Sequence, residues 1–198
     1  MNKKVIIFGA SGSIGRSLID WFSSSDFFVY AVSRKNNLEN KKNNVEWINL
    51  DFSKDNNFSE IIGIKSIDSI VWAQGENYSD SIHTFDRKKF ESLIYSNVTY
   101  ILETLSVLLE NKKLKSEVRI CIISSIWQNL AKQDKLSYTV SKSAIKGLVS
   151  SLVIDMGFNG AMINAVLPGV LDTPMTKSNL SKEQIDNIKK ITPLKSLP

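Results

Sequence analysis

The stretch Val5-Ile-Ile-Phe-Gly-Ala-Ser-Gly-Ser-Ile-Gly15 decides how this chain folds. Residues 5–8 form a short apolar run rich in β-branched side chains, the pattern of a strand covered on both faces. Gly9, Gly12 and Gly15 then mark a turn, and residues 14–21 read as a helix. Glycines admit a tight turn and let the backbone come close to a pyrophosphate. The following helix N-terminus adds free N–H groups and the positive end of its dipole. A glycine pattern alone is also consistent with a structural turn. Lodged between an N-terminal strand and a helix, it points to a dinucleotide site. The spacing is G-x-x-G-x-x-G, with serine at 13, so Ser11 and Ser13 can offer hydroxyls to phosphate or to the turn itself.

Outward from this turn, strand-like and helix-like segments alternate. The expected strands cover 27–32, 45–50, 69–72, 118–123 and 161–166, the last entered through an Asn159-Gly160 turn. Long helices are expected over 86–110 and 137–156, and a shorter one over 181–191. This alternation predicts an α/β chain with a three-layer, doubly wound parallel sheet of about six strands, a Rossmann-type fold, as a single domain over 1–198. Ligands bind beyond the carboxyl ends of such strands, near the reversal of strand order. The chemically interesting residues fall at those ends: 9–15, Ser33, Arg34, Asp51, Gly75, Ser124, Ser125, Pro168 and Gly169.

The 198 residues, 42% hydrophobic and 23% charged, suit one domain with a substantial core. No apolar run reaches the roughly 20 residues expected of a membrane span, so no membrane role is expected. Met1-Asn-Lys-Lys4 leads directly into a strand rather than a signal sequence. A single cysteine, Cys121, excludes an internal disulfide and suits a reducing cytoplasm; mid-strand, it is expected to be buried and inert. The net charge of +5 and pI near 9.2 raise nucleic acid as a partner. The lysines are scattered and not interleaved with aromatics, so nucleic-acid binding is not expected. His83 is the only histidine, which argues against a metal site and places it on a surface loop.

The second strand ends Ala31-Val-Ser-Arg-Lys35 and carries no acidic residue to accept from a ribose 2′-hydroxyl. Arg34 instead suits a 2′-phosphate, with Ser33 as a second donor, so NADP is expected over NAD. Asp51 either accepts from an adenine amino group or caps a loop.

Tyr138 and Lys142 lie one turn apart on the helix over 137–156, and Ser125 closes the fifth strand. A free tyrosine titrates near pH 10. An ammonium about 4 Å away contributes roughly 4 kcal/mol at an effective dielectric near 20, which lowers the phenol pKa by up to about three units. Tyr138 is then a general acid for reduction and a base for oxidation, with the Ser125 hydroxyl donating to the carbonyl oxygen.

With these pieces together the chain resembles the short-chain dehydrogenase/reductase family. The resemblance rests on the glycine turn over 9–15, Asp51, Ala73-Gln-Gly75, Asn97-Val98, Ile123-Ser-Ser125, Tyr138-Thr-Val-Ser-Lys142 and Asn164-Ala-Val-Leu-Pro-Gly169 with Thr173, in the family's order across nearly the whole chain. It implies that Tyr138 exchanges the proton, Lys142 bonds the nicotinamide ribose and Ser125 orients the carbonyl. It further implies that Asn97 bends the long helix and holds a water linking Lys142 to solvent. Gly9, Ser11, Gly12, Ser13, Ile14 and Gly15 would hold the pyrophosphate, Asp51 and Phe52 the adenine, and Ala73 and Gly75 the adenosine ribose. Pro168, Gly169, Val170 and Thr173 would meet the nicotinamide end. A homodimer or homotetramer is implied, paired through the helices bearing Asn97 and Tyr138; Leu105, Leu108 and Leu148 fit that interface or the core.

The glycine spacing also resembles the family's extended branch, whose members often act on nucleotide sugars, although that branch carries a further C-terminal domain. Trp72-Ala-Gln-Gly75 departs from the usual Asn-Asn-Ala-Gly, so bonds across the sheet are expected to be made differently. A last strand is expected after residue 191 and is missing, which suggests a longer parent protein. The leading expectation is an NADP-dependent oxidoreductase acting on a carbonyl or alcohol. The alternatives are a cofactor-binding sensor or scaffold without turnover and a sugar-nucleotide enzyme. Trp127 and Gln128 either line the substrate pocket or pack a loop, Trp21 and Trp47 are expected in or near the core, and Arg16 is expected to pair on its helix surface.

Overall fold

The computed structural model describes residues 3–34, 42–51, 58–64 and 66–198. Six strands are described: β1 (Lys3–Phe8), β2 (Phe27–Ser33), β3 (Val45–Asn49), β4 (Ile67–Trp72), β5 (Leu114–Ile123) and β6 (Met162–Val166). All pair in parallel, in the order β3-β2-β1-β4-β5-β6. The helices are α1 (Ser13–Ser23), α2 (Ser59–Ile62), α3 (Arg87–Ile94), α4 (Tyr100–Glu110), α5 (Leu136–Gly157), α6 (Pro174–Asn179) and α7 (Lys182–Ile191). The expected doubly wound sheet is therefore present.

β1 shows why its sequence is apolar throughout. Its side chains alternate between faces, and both faces are covered. Ile6 and Phe8 join a core with Tyr30, Ile70, Trp72 and Tyr100, while Val5 and Ile7 join one with Ile19, Val29 and Val71. Each such side chain removed from water contributes roughly 1.5–3 kcal/mol. Phe8 stacks on Trp72 at 5.5 Å between ring centroids and meets Tyr100 edge-on at 5.6 Å. The Trp72 indole N–H donates to Thr104 Oγ1 at 3.0 Å. That bond from β4 to α4 is one way in which the departure at 72–75 is accommodated.

Strand order reverses between β1 and β4, and the chain leaves both there. Ala73 N donates to Phe8 O at 2.9 Å, so the Gly9 turn and the segment after Trp72 lie side by side at the strand ends.

Several expectations are corrected. The helix expected over 86–110 is two helices joined by a π turn, Tyr95–Thr99, which contains Asn97. Its composition would by length and hydropathy allow a membrane span across Arg87–Glu110. Here its apolar side, including Leu93, Tyr100 and Ile101, packs into the core. Leu105 and Leu108 are buried and Leu148 packs against the same core. The exposed apolar residues of these helices are instead Leu102, Leu109, Val140, Val153 and Ile154. Trp21 is 61% exposed because α1 turns it away from the sheet. Cys121 is partly exposed. β5 begins at Leu114, before the apolar run, because Leu114 already pairs with Ile67 of β4, ahead of an irregularity after which Ser69 pairs with Arg119. The short helices α2 and α6 lack the length that makes periodicity readable.

Candidate active site

The glycine turn is shaped by contacts within the protein. Gly9 adopts φ +75°, and a Cβ there would lie 2.4 Å from Gln74 N. A Cβ on Gly15 would lie 2.3 Å from Gly9 O, so Gly15 lets α1 pack directly on the turn. Gly12 is the N-cap of α1 and provides no side-chain cap. The first helical bond is Arg16 N to Gly12 O, which leaves the N–H groups of Ser13, Ile14 and Gly15 without intrahelical partners. An uncapped helix start of this kind binds anions. Arg16 turns back on this loop, its Nε donating to Ser11 O at 3.1 Å, rather than pairing on the helix surface.

One cavity of about 640 Å³ runs from this turn to the end of α5. Of the expected residues, Gly9, Ser11, Gly12, Ser13, Ile14, Ser33, Arg34, Ala73, Gly75, Ser125, Tyr138, Pro168, Gly169, Val170 and Thr173 line it. Gly15, Asp51, Asn97 and Lys142 do not, and Phe52 lies outside the described residues. Gly15 is buried beneath the turn, and Asn97 and Lys142 sit behind the wall. Arg34 is exposed at the end of β2 and makes no ion pair among the described residues. Ser124 Oγ and Gln74 Oε1 are buried without partners among the described residues, and both residues line the cavity. A nicotinamide dinucleotide suits these features: the open helix start can take its pyrophosphate, and its hydroxyl and amide groups can satisfy the two oxygens.

Asn97 fastens the floor of the site. Its Oδ1 accepts from Glu76 N at 2.8 Å, and its Nδ2 donates to Glu76 O at 3.1 Å and to Ser141 Oγ at 2.9 Å. It thus ties the π turn to both the segment after β4 and α5. π turns recur at functional sites.

Ser125 is 7% exposed, and its Oγ accepts from Trp127 N at 3.3 Å. Ser124 N to Val166 O and Ile126 N to Pro168 O carry the lacing of β5 and β6 past the strand ends, setting the segment from Pro168 beside Ser125. Tyr138, in the first turn of α5, is within hydrogen-bonding reach of Ser125. Lys142 Nζ lies 5.7 Å from the Tyr138 ring centroid and donates to Ile123 O at 3.2 Å. The two side chains therefore share one side of the helix.

The electrostatics differ from the expectation. Burial pushes the Tyr138 phenol above its ordinary pKa, while its hydrogen bond with Ser125 pulls downward. Lys142 is 4% exposed, and burial brings its pKa down to about 8. A buried phenol and a buried ammonium each lose hydration that favours the charged form. That loss outweighs the pull of an ammonium this far from the ring.

Beyond Thr173, whose Oγ1 accepts from Thr176 N to cap α6, the segment bearing α6 and α7 covers the cavity with Met175, Leu180, Ile188 and Ile191. Trp127 also lines the cavity. Sequence reasoning expected residues 76–85 and 127–136 to set specificity but did not single out Lys135 or its neighbour Asp80 within them. Asp80 accepts from Ser137 N, 57 residues away, and no local pattern signals such a pairing. Among the described residues no three His, Cys, Asp or Glu side chains gather as a metal site.

The short chain dehydrogenase family model matches residues 3–184. The chain belongs to the short-chain dehydrogenase family. Members of this family are oxidoreductases that bind a nicotinamide cofactor. The chain is 25% identical over 187 residues to the uncharacterized oxidoreductase YmfI of Bacillus subtilis, covering 88% of this chain and 77% of YmfI. Matches to some other curated relatives span only 44% or 46% of their length. A short-chain dehydrogenase family protein from Francisella tularensis superposes with TM-score 0.89 at 20% identity, covering all of this chain and 86% of that one. ElxO with NADP bound superposes with TM-score 0.85 at 24% identity over 100% and 86% of the two chains. These superpositions establish the fold of this short-chain dehydrogenase.

Proposed function

We propose that this chain is an NADP(H)-dependent oxidoreductase that interconverts a carbonyl and an alcohol, with Tyr138 moving the proton. The carrying observation is that the uncapped start of α1, Arg34 and the Ser125–Tyr138 pair open into a single cavity. The bound dinucleotide supplies or accepts the hydride at its nicotinamide ring. Arg34 supports NADP over NAD, since its guanidinium pairs with a 2′-phosphate and no carboxylate stands at the strand end to take a 2′-hydroxyl. ElxO holds NADP on the same fold.

Burial keeps the Tyr138 phenol protonated at neutral pH, which is the form that donates to a carbonyl oxygen. The Ser125 hydroxyl, close to that phenol, donates to the same oxygen as negative charge develops. Lys142 remains mainly protonated at pH 7 with its pKa near 8, and its charge favours the phenolate left after transfer.

The test is Tyr138→Phe, assayed by NADPH consumption across a panel of ketones and aldehydes. Turnover should fall by about 100-fold or more, with NADPH affinity kept within about twofold by fluorescence titration. Wild-type turnover in the variant would refute the role.

A further inference from the structure

Lys135 is the least expected side chain in the site. It precedes α5 by one residue, lines the cavity, and is only 6% exposed. Its Nζ donates to Asn77 Oδ1 at 2.9 Å, Ser79 Oγ at 3.2 Å and Tyr78 O at 3.4 Å, all on the segment after β4. It stands 5.9 Å from the Tyr138 ring centroid. Its three protons are thus held by neutral oxygens, and no carboxylate makes an ion pair with it among the described residues.

Lys132 lines the same cavity and is exposed, with no hydrogen bond or ion pair among the described residues. Burial first and Lys132 second hold the Lys135 pKa below its ordinary value, against the opposing pull of Asp80 and Asp134. Neither of those carboxylates lines the cavity. Asp80 is committed to Ser137, accepting from its N at 3.0 Å and from its hydroxyl. Asp134 is exposed. The carboxylate that does line the cavity, Glu76, accepts from the Ser92 hydroxyl at 3.1 Å and makes no ion pair with either lysine among the described residues.

An ammonium held in a cavity without an ion-pair partner, beside a second free one, is a site for an anion. Arg34 does not compete for this role, because it lies at the end of β2 beside the glycine turn. We propose that the substrate carries an acidic group, a carboxylate or a phosphate, which Lys132 and Lys135 receive beside Tyr138. Lys132 donates hydrogen bonds to it, and Lys135, fixed in advance by the 77–79 segment, supplies a charge that needs no ordering on binding. The apolar wall of Trp127, Met175 and Leu180 accommodates the uncharged remainder. This proposal rests on the oxidoreductase reading and adds to it the class of substrate.

The test is calorimetric titration of the protein with saturating NADP, using two matched pairs: levulinate with methyl levulinate, and dihydroxyacetone phosphate with dihydroxyacetone. At least one acid should bind about tenfold or more tightly than its neutral partner, and the pair that responds identifies carboxylate or phosphate. Lys132→Met, which removes no hydrogen bond or ion pair among the described residues, should abolish most of that preference. Lys135→Met should do the same, with thermal unfolding run alongside because it also releases the 77–79 segment. Equal binding within both pairs, or a preference that survives Lys132→Met, would overturn the proposal. Binding is read without turnover, so failure of Tyr138 as the proton carrier shows separately in the kinetic assay of Tyr138→Phe.

Discussion

Replacing Lys142 with methionine should make the ligand-free protein more stable while it removes activity. The ammonium is 4% exposed and donates to Ile123 O at 3.2 Å. Its pKa falls from 10.5 to about 8 through burial. At about 1.4 kcal/mol per pH unit, this gap corresponds to roughly 3 kcal/mol by which the charged side chain disfavours folding at neutral pH. Methionine fills similar space without the charge but leaves Ile123 O without that donor, at a cost of about 1–2 kcal/mol. A net gain of roughly 1–2 kcal/mol at pH 7 is expected.

The pH dependence follows from the two pKa values. Between about 8 and 10.5 the unfolded chain keeps a proton on Lys142 that the folded chain has released. Wild-type stability therefore gains from this group as pH rises through that window, and the penalty is fully present below it. The variant lacks the group, so its advantage should be largest at pH 7 and shrink by pH 10. Urea unfolding of both proteins at the two pH values measures this, and the difference cancels tyrosines titrating in common. A variant less stable than wild type at pH 7, or a gap unchanged between pH 7 and pH 10, would refute the reasoning.

Two further substitutions test the cofactor end. Gly9→Ala places a Cβ at φ +75° and 2.4 Å from Gln74 N, so the strand ends must separate; a loss of about 2–4 kcal/mol in urea unfolding is expected. Unchanged stability would show that the turn relaxes freely. Arg34→Leu should weaken NADPH binding by roughly 10–100-fold, the worth of charge-assisted bonds to a phosphate, and leave NADH binding unchanged in fluorescence titration. Equal effects on both cofactors would place the arginine away from the 2′-phosphate.

Much of the fold was legible because its signals are local. Val5 to Gly15 encodes a strand, a turn and a helix start within one short stretch, and alternating apolar runs encode the parallel sheet. The helix over 86–110 was legible as helix, but not its π turn, because inserting one residue into a turn leaves the apolar pattern almost intact. The inward direction of Leu105 and Leu108 was likewise open, since periodicity marks an apolar face without saying what covers it. In the site, Ser125, Tyr138 and Lys142 were legible as types and spacings. The sign of the Tyr138 shift was not, because it depends on how much water the fold removes from the phenol compared with the distance to the ammonium.

The amino-acid sequence by itself determined the order of strands and helices, the glycine turn, and which side chains could carry chemistry. These follow from φ/ψ preference, apolar period and residue type, all expressed within a few neighbouring residues. Only the tertiary structure decided that Asn97 ties Glu76 to Ser141, that Asp80 binds Ser137, that Lys142 lies behind the cavity wall, and that Lys135 lies within it. Those relations join segments many residues apart, and burial, which sets each group's charge, is a property of the whole packed chain.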